Sequence, residues 1–179
     1  MHLSKTLAAI LLCAVTLALL PVVAAAAGPS QKTRASSSSR AQAPAPQTEI
    51  TKEKVEVIVS AIEQSVKKKE AAVLIAYLAP DLKYKLDGGG RPTRHANRPQ
   101  YIEIVKLGFA LALDYVYLRK SLTVTIAPDG QSATAQTEAF EMLTLAQGTV
   151  AAHVTSVTTF KIYKGKILIS AMESTIKYV

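Results

Sequence analysis

From Tyr115 to Ile176 apolar and polar residues alternate in runs, and Asp129-Gly130, Gln147-Gly148 and Lys164-Gly165 interrupt them. Alternation with period two marks a half-buried strand, and these dipeptides form turns. The pattern predicts three strands in two hairpins, after one further strand whose apolar set is Leu118, Leu122, Val124 and Ile126. A two-residue turn at Lys164-Gly165 pairs Tyr163 with Lys166 and Phe160 with Ile169. The same count pairs Thr158 with Ala171, Ser156 with Glu173 and Val154 with Thr175. A two-residue turn at Gln147-Gly148 pairs Ala146 with Thr149, Leu143 with Ala152, Glu141 with Val154 and Ala139 with Ser156. Both counts place Phe160, Ile162, Ile167 and Ile169 on one face, and His153, Thr155, Thr159 and Lys161 on the other. A slip of one residue would turn every side chain over, so this agreement constrains the register. A four-residue loop from Pro128 to Gln131 sets Lys120 opposite Ala139, making a row of Lys120, Ala139, Ser156 and Glu173. A β-bulge would break that row.

Upstream the period lengthens. Val55, Ile58, Val59, Ile62 and Val66 recur at helical spacing, with Glu56, Glu63 and Gln64 on other faces. A second helix is expected from about Lys69, with Ala72, Val73, Ala76 and Tyr77 on its apolar side and Pro80 as its stop. Leu82, Tyr84 and Leu86 alternate with charged residues and predict a short strand before the loop at Gly88–Gly90. Asn97, Pro99 and Gln100 have the spacing of a helix start with a capping box. The third helix then runs to about Leu113 on Ile102, Val105, Leu107 and Phe109. Helices first and an antiparallel sheet afterwards is an α+β order.

The first 49 residues lie outside this pattern. Lys5 is followed by an apolar stretch to Ala27 that ends in Ala25-Ala26-Ala27-Gly28. This is the layout of a secretory signal peptide cut after Ala27, giving an exported, periplasmic or secreted protein. The stretch is also long enough to span a bilayer, which takes about 20 residues. The alanine run and Pro21 favour cleavage, and membrane contact is then expected only through this leader. Residues 28–49 hold four consecutive serines and Ala-Pro-Ala-Pro, the composition of a flexible linker. The folded domain is therefore 50–179. Cleavage removes Cys13, the one cysteine, and with it disulfides, thiolate nucleophiles and Cys-rich zinc sites. The net charge of +8 falls to about +7 without Lys5. Three of the remaining basic residues sit in the linker. Lys67, Lys68 and Lys69 fan around a helix end, where cations suit the dipole. No nucleic-acid-binding signature accompanies them, so nucleic acid is not an expected partner.

The order of these segments resembles the nuclear transport factor 2-like (SnoaL-like) family. The likeness runs through Lys-Lys-Glu-Ala-Ala, Tyr-Leu-Ala-Pro-Asp and Tyr84, Tyr101 to Leu113, Ala-Pro-Asp-Gly with Ser132-Ala133, and Phe160 to Ile169 around Lys-Gly-Lys. It spans nearly all of residues 51–179. It implies a cone, a bent sheet wrapped around helices with a pocket inside. The family holds isomerases, dehydratases, cyclases, epoxide hydrolases and binding or dimerisation modules, so it implies no single reaction.

The inward face offers Glu141, Glu173 and Lys120 as candidate catalytic residues. Ala139, Ser156, Thr158 and Ala171 are small enough to leave a pocket around them. Desolvation raises a carboxylate's pKa and a nearby Lys lowers it, so two carboxylates can divide acid and base work. The plainer reading makes Glu141 and Glu173 hydrated or ion-paired structural groups. His153 faces outward by the register, as a surface residue rather than a catalytic one. Arg91 and Arg94, with His95 and Arg98, occupy a basic loop. Folded over the cone mouth, that loop would favour an anionic ligand. Gly88–Gly90 match no phosphate loop, and no metal-ligand spacing is present, so neither metal nor cofactor is expected. Two functions stand side by side. One is a module binding a small apolar or anionic ligand, or forming a homodimer through an outward apolar set of Val157, Leu168, Met172 and Ile176. The other is a small acid–base enzyme using Glu141 and Glu173.

Overall fold

The computed structural model describes residues 49–179. The expected leader, and the expected linker except for Glu49, lie outside the described residues. Helix α1 (Lys52–Lys67) starts at Thr51, whose side chain accepts from the Lys54 N–H. It buries Val55, Ile58, Val59 and Val66, four of the five positions the period selects. The short α2 (Ala71–Ala76) buries Leu74, while Ala72 and Val73 are exposed, contrary to the expected apolar side. Pro80 does not stop this helix. It lies within strand β1 (Leu78–Gly88), which is longer than expected. Strand β2 (Arg94–Asn97) pairs with β1 only over Lys83–Leu86, so the missing N–H of Pro80 interrupts no bond to that neighbour.

Helix α3 (Arg98–Leu111) begins at Asn97 with both halves of the capping box in place. Its buried stripe is Tyr101, Ile104, Val105 and Gly108, and Leu107 faces out. Lys69, in a left-handed conformation between α1 and α2, donates to the carbonyls of Ala112 and Leu113 just past the end of α3. A cation there meets the negative end of the helix dipole.

Strands β3 (Asp114–Ile126), β4 (Ser132–Leu145), β5 (Gly148–Tyr163) and β6 (Lys166–Tyr178) complete one sheet of order β2-β1-β6-β5-β4-β3. All neighbours are antiparallel except β1 and β6, which run parallel. The sheet is curved and does not close. Helix α1 packs on β3 and α3 on β1, so the helices fill the concave side. Phe160, Ile50, Leu82, Leu143 and Ile169 are the largest fully buried side chains of the resulting core.

The registers depart from expectation at three places. In the β5–β6 hairpin Tyr163 pairs with Lys166 and Phe160 with Ile169, as the turn requires. Then the register shifts between Thr159 and Phe160, where Ser170 on β6 is an extra residue. Beyond it Ser156 faces Ser174 and Val157 faces Glu173. In the β4–β5 hairpin the two turn residues are Ala146 and Gln147, with Gly148 opening the strand. Every pair moves by two, so Glu141 faces Ala152 and Ala139 faces Val154, and no side chain changes face. In β3–β4, Ile126 pairs with Ala133 as expected, but Lys120 is a bulge between Arg119 and Ser121. Arg119, not Lys120, then lies opposite Ala139. Each bulge inserts one unpaired residue and reverses the inward parity beyond it.

Candidate functional site

The concave side of the sheet encloses a cavity of about 120 Å³ between α1, α2, α3 and the strands. Strand β3 supplies Tyr115 and Tyr117, which alternate inward until the bulge at Lys120. Strand β4 supplies Ala135, Thr137, Ala139 and Glu141, where three small side chains leave the space. The second bulge turns Met172 and Ser174 of β6 inward.

Glu141 is buried, and its carboxylate accepts a 2.5 Å hydrogen bond from the Tyr115 hydroxyl. Burial drives its pKa up to about 7, and the Tyr115 hydrogen bond opposes the shift. Tyr117 sits directly across from Glu141 in the β3–β4 pair. Burial and the negative charges of Glu63 and Glu141 push the Tyr117 phenol well above its usual range, and a hydrogen bond with Thr137 opposes this. Glu63, on the cavity wall from α1, meets Arg119 of β3 at 3.0 Å. Its pKa is raised by burial, which outweighs the opposing pull of Arg119. Although Oε1 lies that close to the guanidinium, it accepts no aligned hydrogen bond. The distance identifies an ion pair whose angles are poor. Elsewhere on the wall Ser156 and Ser174 hydrogen-bond to each other at 2.8 Å, and Tyr84 and Tyr101 lie 4.8 Å apart between ring centres.

The candidates read from the sequence are distributed unevenly. Glu141, Ala139, Ser156 and Thr158 line the cavity. Glu173 does not. The β6 bulge turns it to the outer face, where it is largely exposed and lies 3.8 Å from Lys85. Ala171, opposite Thr159, leaves the cavity for the same reason. Lys120 also turns outward as the bulged residue, and its ammonium donates to Nδ1 of the outward His153 at 3.2 Å. Arg91 and Arg94 border a separate small hollow with Leu86, Gly88, Ile176 and Tyr178, away from the cavity. His95 is in β2 rather than in a loop. Met172 and Ile176 face inward, so two of the four residues expected to form an outer apolar patch are absent from it.

The sequence reading missed Tyr115, Tyr117, Arg119 and Glu63. A signal was present. Tyr115, Tyr117 and Arg119 hold one parity and Leu122, Val124 and Ile126 the other, as a single inserted residue requires. Leu118 lies before the break and so faces outward, apart from Leu122, Val124 and Ile126, and it is 55% exposed.

A search of solved structures finds the same architecture repeatedly. A nuclear transport factor 2-like protein of unknown function from Pseudomonas putida matches with a TM-score of 0.58 at 13% identity, over 69% of this chain and 84% of that one. The fold is the nuclear transport factor 2-like cone. A nuclear transport factor 2-like protein with a cystatin-like fold from Novosphingobium aromaticivorans matches at 0.54 and 16% identity, over 69% and 80% of the two chains. A ketosteroid isomerase-like protein from Erwinia carotovora atroseptica matches at 0.52 and 15% identity, over 68% and 92%. No protein-family profile matches the chain, and no curated protein matches it significantly. These cones share an architecture with this chain at identities that carry the fold alone, and their chemistry belongs to their own sites. Among the described residues no group of three His, Cys, Asp or Glu side chains could hold a metal ion, and no helix is long and apolar enough to cross a membrane.

Proposed function

We propose that this is an exported protein that binds one small, mostly apolar molecule in its cone, anchored at Glu141. The observation that carries this reading is a largely apolar cavity with a buried carboxylate on its wall. Pockets for small molecules combine such a lining with a few placed polar groups. A cavity of roughly 150 Å³ accommodates benzene, so about 120 Å³ suits a ligand body of single-ring size. Export rests on the Ala-x-Ala leader. The anionic ligand loses its support with Arg91 and Arg94 away from the cavity.

Native mass spectrometry of the purified protein, before and after mild denaturation, tests this directly. A mature mass beginning at Gly28 and a small molecule released on denaturation are the expected results. Titration with single-ring compounds, followed by the Met172 methyl resonance, gives the complementary measurement. An empty protein whose Met172 signal no such compound shifts would refute the pocket.

The position of Glu141 also favours a second reading, an acid–base enzyme of isomerase, dehydratase or hydrolase type. A group titrating near neutrality is suited to both giving and taking a proton. Its second carboxylate would be Glu63, in place of Glu173. Under this reading the bound compound is consumed, and Glu141→Gln abolishes turnover while binding persists.

A further inference from the structure

We propose that the ligand is a small ammonium compound with a ring-sized apolar body, held by Glu141 as its counter-charge; this rests on the pocket reading above. The polar groups of the cavity wall centre on Glu141. The Tyr115 hydroxyl donates to it, while Ser156 and Ser174 bond to each other. The carboxylate keeps acceptor capacity. An ionised carboxylate offers about four lone-pair positions, and Tyr115 uses one of those on Glu141.

The charges point the same way. Around Glu141 the titratable and charged side chains are Glu63 from α1, Tyr84 from β1, Tyr101 from α3, and Tyr115, Tyr117 and Arg119 from β3. The single cation in that set, Arg119, pairs with Glu63, and no Lys or Arg among the described residues forms an ion pair with Glu141. Buried charges are stable when paired, so ionised Glu141 calls for a cation from outside the chain. The tyrosine rings on the wall add attraction for a cation through their electron-rich faces. An anion would meet two carboxylates and no uncommitted cation.

The test compares benzylamine, benzyl alcohol and benzoate by calorimetry and by the Met172 methyl signal, at about pH 8.5 and about pH 5. Benzylammonium is expected to bind about tenfold more tightly than benzyl alcohol at the higher pH. The preference is expected to vanish at the lower pH and in Glu141→Gln. Benzoate binding as well as benzylammonium, or a preference that survives at pH 5, overturns the proposal. Should the Gln variant fail to fold, the pH comparison on the unaltered protein decides alone. Benzyl alcohol binding with no gain from the amine leaves the pocket standing and refutes this inference. If none of the three binds, both fall.

Discussion

Glu141 is a buried carboxylate whose charged form the fold disfavours. It ionises at 4.5 under ordinary conditions and at about 7 in its buried place. Its folded pKa is raised, so the associated stability is complete below pH 4.5 and is lost as pH rises through 7. The shift corresponds to about 3 kcal/mol as an upper figure for a fully buried group. Glu141→Gln keeps the shape and an oxygen for Tyr115 but removes the charge. Urea denaturation should show the variant more stable than the parent by about 1–3 kcal/mol at pH 8.5, and nearly equal at pH 4. Equal stability at both values would mean that the carboxylate is solvated. A protein that retains so costly a charge with Tyr115 as its hydrogen-bond partner and no cation beside it fits a site completed by something else. Glu141 and its inward direction were legible in the sequence, because alternation within β4 is unbroken. Its hydrogen bond to Tyr115 was not, since that contact depends on the path of β3 across the bulge.

At the scale of elements, two bulges decide the site. Without the extra residue at Ser170, Glu173 would face the cavity and Met172 would face solvent. Without the one at Lys120, Tyr115 and Tyr117 could not share the inner face with Leu122 and Val124. Bulges carry weak local sequence signals, and only the parity break in β3 announced one. The ion pair of Glu63 and Arg119 ties α1 to β3 beside the cavity. Breaking a buried pair costs several kcal/mol, and the partial exposure of Arg119 reduces that here. Arg119→Ala is expected to destabilise by about 1–2 kcal/mol at pH 8, and adding Glu63→Gln to recover part of it. A double-mutant cycle in urea measures both. Strictly additive losses would show that the pair is structurally idle.

At the scale of the whole molecule, a single core joins the helices to the curved sheet, and it is assembled from residues 50–179. Ile50 belongs to it, and its N–H bonds to the Gly130 carbonyl, tying the start of the domain to the β3–β4 turn. A fragment of residues 49–179 is therefore expected to melt within about 2 °C of one comprising residues 28–179. A larger loss would assign residues 28–48 a structural role. The apolar cavity and the acceptor-rich wall sit inside this one unit, so ligand binding should raise the melting temperature of the whole domain cooperatively.

The α+β order, the start of α3 at Asn97, the tip of the β5–β6 hairpin and the inward position of Glu141 were legible in the chain alone. These follow from short-range physics: periodicity, capping and turn geometry act over a few residues. The folded sheet, and no local pattern, turns Glu173, Lys120 and Ala171 off the inner face and gathers Tyr115, Tyr117 and Glu63 with Glu141 on the cavity wall. A strand carries its parity from one end to the other, so one inserted residue redirects every side chain beyond it. Where that insertion falls is settled by the packing of a curved sheet against its helices, which no local stretch of the chain contains.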